Sequence, residues 1–395
     1  MADGEPKRAF LTSAPVACGI GWLVNALTAA EFKTISLNHP NGGWELLPDQ
    51  SYKMPAKARE HLGNHMPILF ERSQFHFTKG VEIFWEHRVN FTIASTAPVV
   101  LLIRDPRDAI YSLFRRWKSK GWIEGEFGDF LRRPSDWPDH FPGLFSSNPI
   151  QTYFYFNFAW LKAARFRKLK MIRFEELKAK PLATLQETIA FLGLQAPSSA
   201  TLAAAVASSD VKTARELIDR GTAGDNFSAV HKGLVEEWKE TYRPEWLAHF
   251  QSPEICAALR LLGYSAPASA YEKPMRALIE GKCASLGTAL MFRLMDVLRV
   301  LYPEKMLKKL NPDGLERMDL PPSWRAYLKR WVVAAYWGER CASDAHQVLE
   351  MREFFLGLLK IWTPPQEVER LFSHVATRFY VVPATSAELQ TSSAG

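Results

Sequence analysis

The feature that most constrains this chain is an unbroken apolar run, "APVVLLI" (97–103), which ends abruptly in Arg-Asp-Pro. A run without polar alternation is typical of a parallel strand that is covered on both faces. The next residues, "PRDAIYSLFRRW", carry apolar side chains at helical spacing, and Pro106 suits the first turn of a helix. The sequence therefore predicts a buried strand that passes directly into a helix.

The same pattern of strand and helix recurs through the first two thirds of the chain. Strands are predicted within residues 9–13, 66–78, 97–103 and 169–177. Strands that alternate with helices favour a three-layer α/β domain with a mostly parallel sheet. Residues 38–66 are rich in Pro, Gly, Asn and His, and they are predicted to form a long functional loop.

A change of composition at "SAPASAYEKP" (265–274) predicts a domain boundary. Beyond it the apolar patterns are helical only. We therefore expect an α/β domain over residues 1–266 and an all-α C-terminal extension over residues 267–395. The amphipathic stretch 286–310 is suited either to packing inside that extension or to lying on an anionic membrane surface.

Composition narrows the class of protein without choosing its ligand. The chain of 395 residues is 47% hydrophobic and carries a net charge of +7, which suits a polyanionic small ligand, nucleic acid or an acidic membrane. No basic-aromatic motif favours nucleic acid. The four cysteines are far apart, which argues against a disulfide framework and against a metal site. With neither a signal peptide nor a long apolar span in the sequence, we expect a cytoplasmic protein.

The loop after the first predicted strand, "APVACGIG" (14–21), has the character of an anion-binding turn. Backbone N–H groups at the start of a helix attract phosphate, and Gly19 and Gly21 permit a close approach. A tight turn with only a packing role is the alternative. The loop lacks the GxxxxGK[ST] pattern of nucleoside-triphosphate sites.

A second anion-binding position is predicted where the apolar run ends. Arg104 leaves the strand, and Ser112 lies on the second turn of the next helix. A guanidinium binds phosphate bidentately, and a serine hydroxyl donates a further hydrogen bond. The alternative is a surface ion pair between Arg104 and Asp108, with Ser112 incidental.

These segments together resemble the sulfotransferases, enzymes that use 3′-phosphoadenosine 5′-phosphosulfate (PAPS). "LLIRDPRDAIYS" is similar to the family's 3′-phosphate motif, and "SAPVACGIGWLVNAL" stands where the family has its 5′-phosphosulfate loop. "MIRFEELKAKPLATLQETIAFLGL" is similar to the segment that begins Tyr-Glu-Asp-Leu. "DRGTAGDNF" (219–227) resembles Arg-Lys-Gly-x-x-Gly-Asp-Trp, the loop that closes over the cofactor. The resemblance covers roughly residues 10–265, with gaps at 38–95 and 120–150.

The resemblance implies a three-layer fold with a phosphate-binding loop, PAPS as the donor, no metal, and a role for each matching residue. Arg104 and Ser112 would bind the 3′-phosphate, with Arg220 and Gly221 approaching from the closing loop. The 5′-phosphosulfate would lie on the backbone of Cys18, Gly19, Ile20 and Gly21, with Trp22 against the adenine and Phe174 nearby.

Three departures from the family pattern bear on catalysis. The first loop lacks the lysine that, in the family, stabilises negative charge on the leaving phosphate oxygen. The candidate substitutes are Lys79, Lys7, Arg8 or the backbone amides of the loop alone. Asp219 replaces the first arginine of the closing loop. Phe174 replaces a tyrosine.

The sequence says less about the residues that would bind and activate the molecule that accepts the sulfuryl group. His76, after the second predicted strand, is the candidate general base, with Glu71 and His65 as alternatives. The acceptor is expected to be a small-molecule, carbohydrate or lipid-linked hydroxyl or amine. Two rival functions stay open. One is a P-loop-type small-molecule kinase. The other is a protein with weakened catalysis that binds PAPS or PAP, the desulfated product of PAPS.

Overall fold

The structure is a computed structural model. It describes residues 6–37, 43–87, 97–133, 148–163, 168–221 and 233–280. The amphipathic segment 286–310 and most of the predicted helical extension lie outside these ranges. Within the described ranges, no helix combines the length and the apolarity needed to cross a bilayer.

The core of the fold is a parallel five-stranded sheet with the strand order β2-β5-β1-β6-β7. Its strands are β1 (Lys7–Ser13), β2 (Thr34–Ser36), β5 (Val81–Glu86), β6 (Val99–Ile103) and β7 (Leu169–Arg173). Two short strands, β3 (Glu45–Leu46) and β4 (Tyr52–Lys53), form a separate antiparallel pair. The predicted α/β class with a mostly parallel sheet is confirmed.

The helices lie between and after these strands. They are α1 (Ile20–Ala29), α2 (Ala56–Leu62), α3 (Ile68–Glu71), α4 (Pro106–Ser119), α5 (Phe127–Arg132), α6 (Pro149–Ala163), α7 (Phe174–Ala179), α8 (Pro181–Phe191), α9 (Ser199–Ser208), α10 (Val211–Gly221), α11 (Trp238–Thr241), α12 (Pro244–Ala248), α13 (Pro253–Leu261) and α14 (Glu272–Glu280). Pro106 begins α4 as predicted, with the Asp105 side chain as its N-cap.

The apolar run over residues 97–103 contains β6, and all five residues of this strand are buried. It lies between β1 and β7, with Phe10 opposite Val99 and Val99 opposite Leu169. A strand with neighbours on both sides and helices on both faces has no polar face to display, which explains the unbroken run.

The strand predicted within residues 66–78 is wrong. The structure has a short helix there, α3, because a helical turn places the adjacent residues Ile68 and Leu69 together in the core. The strand is β5, ten residues further on, where Val81, Ile83 and Trp85 alternate into the core. The predicted loop over 38–66 also contains β3, β4 and α2 among its described residues.

The described chain divides into two compact units, and residues 252–280 form the smaller one. In that unit the Ser252 hydroxyl accepts a hydrogen bond from the N–H of Ile255 and caps α13. An ion pair between Arg260 and Glu272 joins α13 to α14. The boundary near residue 267 stays a prediction.

Candidate functional site

The parallel sheet brings four predicted or potential site segments to one edge. Since all five strands run the same way, the loop 14–19, His87, Arg104 and Phe174 follow the carboxyl ends of β1, β5, β6 and β7. In open α/β sheets, ligands bind outside these ends, near the strand where the chain order reverses. Here that strand is β1, which lies between β5 and β6.

The loop after β1 is compact and ends in a left-handed glycine. The N–H of Val16 donates to the carbonyl of Ala14, and the N–H of Cys18 donates to the carbonyl of Val16, both at 2.7 Å. Gly19 has φ 91° and precedes α1 without any side-chain cap. The first N–H groups of a helix have no acceptor within it and carry the positive end of its dipole. The start of α1 is therefore suited to an anion.

Phe174 explains why position 19 must be glycine. A Cβ atom on Gly19 would lie 2.5 Å from Cδ2 of Phe174, and φ 91° disfavours any other residue. The guanidinium of Arg104 lies 4.7 Å from the centre of the same ring. Phe174 thus packs between the loop and the arginine, where a phenyl ring suffices.

Arg104 is the central side chain of the site. It is only 4% exposed, and its two terminal nitrogens donate to the carbonyls of Ala17 and Leu234, each at 2.9 Å. Its Nε is buried without a hydrogen-bond partner. Arg104 therefore joins the loop before α1 to a segment 130 residues away in the chain.

Asp108 does not form the alternative ion pair with Arg104. Its carboxylate accepts the N–H of Glu236 at 2.7 Å and the N–H of Trp238 at 2.9 Å. Burial raises the pKa of Asp108 to about 6. This carboxylate therefore serves as the anchor for the chain that passes over the start of α4.

We call residues 233–242 the 233–242 segment. The guanidinium of Arg107 lies 3.8 Å from the centre of the Trp238 ring, and the Tyr242 hydroxyl donates to the carbonyl of Arg107 at 2.6 Å. Glu236 has φ 62°, a left-handed conformation that is unfavourable for a residue with a side chain. Several independent contacts thus hold the segment on α4.

Of the predicted closing loop over residues 219–227, the structure describes only residues 219–221. Arg220 and Gly221 are the last residues of α10, and the Arg220 side chain is 74% exposed and pairs with Glu216. Residues 222–232 lie outside the described ranges.

A sequence pattern could have pointed to the 233–242 segment, which Arg104 contacts through the carbonyl of Leu234. "HKGLVEEW" (231–238) places glycine and tryptophan at the spacing of Arg-Lys-Gly-x-x-Gly-Asp-Trp. Glu236, at the position of the second glycine of that motif, has the positive φ that glycine favours. This agreement of spacing and conformation makes the 233–242 segment a second candidate for the closing loop, beside the prediction over residues 219–227.

A histidine that was not among the predicted site residues also lies at the carboxyl edge of the sheet. His87 follows β5, and its Nδ1 is 3.2 Å from Oγ of Ser13, the last residue of β1. The ring of His65 lies 6.1 Å from that of His87 and 5.5 Å from that of Trp85. The backbone carbonyl of His65 lies 3.2 Å from the position of a Cβ on Gly21. Both histidines therefore border the start of α1.

The structure does not bring the two predicted catalytic residues to this group. His76 and Glu71 are both exposed, and His76 acts electrostatically on Asp49, before β4. The signal for His87 was a histidine directly after an alternating strand, "VEIFWEH" (81–87), and it becomes visible only when β5 is placed correctly.

The remaining predicted residues lie in the loop after β1, on α1 and on α4. Burial raises the pKa of the Cys18 thiol to about 12, so the thiol is neutral and only its backbone suits an anion. Ile20 is buried, and Trp22 is partly buried against the core. Ser112 is buried on α4, one turn beyond Asp108.

None of the proposed lysine substitutes lies at this edge. Lys7 and Arg8 begin β1, and Lys79 precedes β5, so all three lie at the amino ends of their strands. A strand of this length separates them from the loop by about 20 Å. Across the described part of the chain, no group of three or more His, Cys, Asp or Glu side chains is placed to hold a metal ion.

Comparison with known proteins identifies a family that part of the chain resembles. Residues 69–256 match the sulfotransferase domain, so the predicted resemblance is confirmed over that range. No curated protein matches the chain.

Several solved structures are similar to this chain at low identity. The mouse sulfotransferase SULT7A1 complexed with PAP is 16% identical, with coverage of 65% of this chain and 86% of that one and a TM-score of 0.42. Retinol dehydratase in complex with androsterone and inactive cofactor PAP is 15% identical, with coverage of 68% and 84% and a TM-score of 0.39. The sulfotransferase from Alicyclobacillus acidocaldarius is 17% identical, with coverage of 56% and 98% and a TM-score of 0.32.

Proposed function

We propose that this chain, whose residues 69–256 match the sulfotransferase domain, transfers a sulfuryl group from PAPS to a hydroxyl or amine. The observation that carries the proposal is the buried guanidinium of Arg104 at the carboxyl edge of the sheet. This guanidinium lies between the loop before α1 and the 233–242 segment. A position between these two elements is where a ligand with two separate anionic groups is best held.

The residues present fit such a ligand. The buried Nε of Arg104 has no partner, so an acceptor oxygen at this position would satisfy it. Arg104 and Ser112 would hold the 3′-phosphate of PAPS, and the N–H groups of Gly19, Ile20 and Gly21 would hold its 5′-phosphosulfate. When bound, PAPS supplies the activated sulfuryl group. In the absence of the loop lysine, the helix dipole of α1 and these N–H groups would stabilise the negative charge on the leaving phosphate.

We assign the general base to His87 in place of His76 or Glu71. Its ring lies at the carboxyl end of β5, beside β1, and the contact between Nδ1 and Ser13 Oγ fixes its orientation. A histidine titrates near neutral pH and is suited to take the proton of a hydroxyl or amine acceptor. His87 would therefore accept that proton as the sulfuryl group is transferred.

The direct test is a screen of the full chain with PAPS and small-molecule, carbohydrate and lipid-linked acceptors. Product is detected by mass spectrometry as the gain of one sulfuryl group. We expect at least one acceptor to be modified, with much less product for Arg104→Ala and none without PAPS. Binding of PAP without product from any acceptor would favour the binding protein with weakened catalysis. Phosphorylation from ATP would favour the kinase.

A further inference from the structure

We infer that Ser13 is a positioning residue for His87. Its hydroxyl and its carbonyl hold the neutral imidazole with the ring proton on Nδ1, so that Nε2 is the nitrogen that takes the proton of the acceptor. This role rests on the proposed function, because it names the atom of His87 that acts as the base. It is carried by the polar contacts that Ser13 makes at the end of β1.

The sheet fixes where Ser13 lies relative to His87. Ser13 is the last residue of β1 and is fully buried. β1 and β5 run parallel, with Thr12 opposite Glu86, so Ser13 and His87 come next to each other where the two strands end. On its other side Ser13 pairs with Leu102 of β6. The backbone of Ser13 is thus held by a central strand, which gives its polar atoms a defined position beside the ring.

The Ser13 hydroxyl already uses its single hydrogen. It donates to the carbonyl of Ala14 at 3.1 Å, and a carbonyl oxygen can only accept. The hydroxyl oxygen is therefore left to accept a hydrogen bond from Nδ1 of His87, which lies 3.2 Å away. The carbonyl of Ala14 also accepts the N–H of Val16, so Ser13 joins the imidazole to the loop before α1.

A second contact favours the same position of the proton. The backbone carbonyl of Ser13 lies 3.4 Å from Nδ1 of His87, and this oxygen too can only accept. With the proton on Nδ1, both oxygens of Ser13 face a donor and Ala14 keeps its hydrogen bond. With the proton on Nε2, the lone pair of Nδ1 would face the carbonyl, and the hydroxyl would have to turn away from Ala14. The contacts of one ring nitrogen thus set the tautomer.

The consequence for catalysis concerns the other ring nitrogen. A neutral imidazole has one nitrogen that donates and one that accepts, so a proton on Nδ1 makes Nε2 the basic atom. The acceptor's hydroxyl or amine would give its proton to Nε2 as its electron pair bonds to the sulfuryl group. The ring then carries one positive charge, and the hydrogen bond from Nδ1 to Ser13 becomes charge-assisted and stronger. Ser13 therefore acts through His87 and does not touch the reacting atoms.

The direct test is the tautomer of His87 in the full chain. The histidines are labelled with the NMR-active nitrogen isotope, and long-range proton–nitrogen correlation spectra are recorded at about pH 8, above the ordinary pKa of histidine. The signals of His87 are those that are missing from the spectrum of His87→Asn. We expect the wild-type ring to carry its proton on Nδ1. A proton on Nε2 would overturn the inference.

Ser13→Ala removes the hydroxyl and keeps the carbonyl. We expect the ratio of the Nδ1–H form to the Nε2–H form to fall about tenfold, which corresponds to the loss of one neutral hydrogen bond. Turnover with any acceptor found in the screen should fall to a similar extent, while the affinity for PAP, measured by calorimetry, should change little. Ser13→Thr keeps the hydroxyl and should restore both the tautomer and the turnover.

Thr12→Val is the matched control. Thr12 is fully buried in the same strand, and its hydroxyl donates to the carbonyl of Glu86 at 3.0 Å, directly before His87. The variant removes a hydrogen bond between the same two strands, so it should lower the free energy of unfolding and leave the tautomer of His87 unchanged. The same shift of tautomer in Thr12→Val and Ser13→Ala would mean that Ser13 acts only through strand packing, and the inference would be wrong.

The outcomes separate the two proposals. A tautomer that Ser13→Ala does not alter would also overturn the role of Ser13, and sulfation of an acceptor would then leave the proposed function standing. A ring with its proton on Nδ1 that responds to Ser13→Ala, in a chain that modifies no acceptor, would contradict the proposed function while Ser13 still orients the ring.

Discussion

At the residue scale, the peptide that follows Arg104 is fixed at both of its polar atoms. Its carbonyl accepts the hydroxyl of Tyr153 at 2.6 Å, and the N–H of Asp105 donates to Glu175 at 2.9 Å. Burial raises the pKa of both Tyr153 and Glu175. Because the backbone is held in this way, the guanidinium is oriented before any ligand arrives, which lowers the entropy that binding costs.

His87 gives the sharpest prediction at this scale. His87→Asn keeps a polar group near Ser13 but cannot accept a proton, so we expect turnover to fall by about 10²–10⁴. The affinity for PAP should not change, since His87 lies on the acceptor side of the proposed site. Turnover is measured with any acceptor found in the screen, and affinity by calorimetry.

The matched control is His76→Asn, which changes an exposed histidine. It should leave turnover unchanged. If His76→Asn abolishes turnover and His87→Asn does not, the base is the residue that the sequence first indicated, and our assignment is wrong.

At the scale of elements, the 233–242 segment combines firm anchoring with an unfavourable backbone. Asp108 holds it through two N–H groups, while Glu236 adopts a left-handed conformation. Such a conformation costs roughly 1–2 kcal/mol for a residue with a Cβ atom. The anchors on α4 must offset this cost for the segment to keep its conformation.

Glu236→Gly and Glu236→Ala separate the backbone from the side chain. Both lose the exposed ion pair with Lys239, which contributes little. Only glycine relieves the left-handed conformation, so we expect Glu236→Gly to exceed Glu236→Ala by about 1 kcal/mol in the free energy of unfolding. Denaturant titration measures both. Equal stabilities would show that position 236 carries no backbone strain.

Asp108 predicts a specific dependence of stability on pH. Burial raises its pKa from 3.8 to about 6, so the folded chain binds this proton more tightly than the unfolded chain does. The contribution of Asp108 to the free energy of unfolding is therefore largest below about pH 4 and declines as the pH rises through about 6. Asp108→Asn cannot titrate. The difference in unfolding free energy, wild type minus Asp108→Asn, should thus fall between pH 4 and pH 7.

Denaturant titrations of both chains at several pH values check this. A difference that rises with pH would mean that the two N–H donors lower the pKa of Asp108 more than burial raises it.

The elements differ in how far the sequence predicted them. β6 and Arg104 were predictable because a strand buried on both faces leaves an unbroken apolar run. β5 was missed because Val81, Ile83 and Trp85 alternate with partly buried residues, and a neighbouring apolar stretch at α3 competed with it. The role of the 233–242 segment depends on hydrogen bonds across some 130 residues of chain, which no local pattern encodes.

At the scale of the whole molecule, every residue that we propose for PAPS lies before residue 239 and within the larger compact unit. The smaller unit begins at residue 252 among the described residues. We therefore expect the proposed donor site to form without the C-terminal extension beyond residue 266.

Truncation tests this arrangement. We expect a chain that ends after residue 266 to bind PAP with the affinity of the full chain, as measured by calorimetry. Circular dichroism and cooperative thermal unfolding serve as the control for folding. A folded truncation that fails to bind PAP would show that the extension contributes to the site.

The most direct test of the central claim compares PAP with adenosine 5′-phosphate, which lacks only the 3′-phosphate. We predict that the wild-type chain binds PAP much more tightly than adenosine 5′-phosphate in calorimetry. In Arg104→Ala the advantage of PAP should shrink by about 1.5–3 kcal/mol, the usual contribution of hydrogen bonds to a charged group. Arg132→Ala, which changes an exposed arginine paired with Asp129, should behave like the wild type. Equal binding of the two nucleotides by the wild type, or an unchanged preference in Arg104→Ala, would contradict the assignment of Arg104 to the 3′-phosphate.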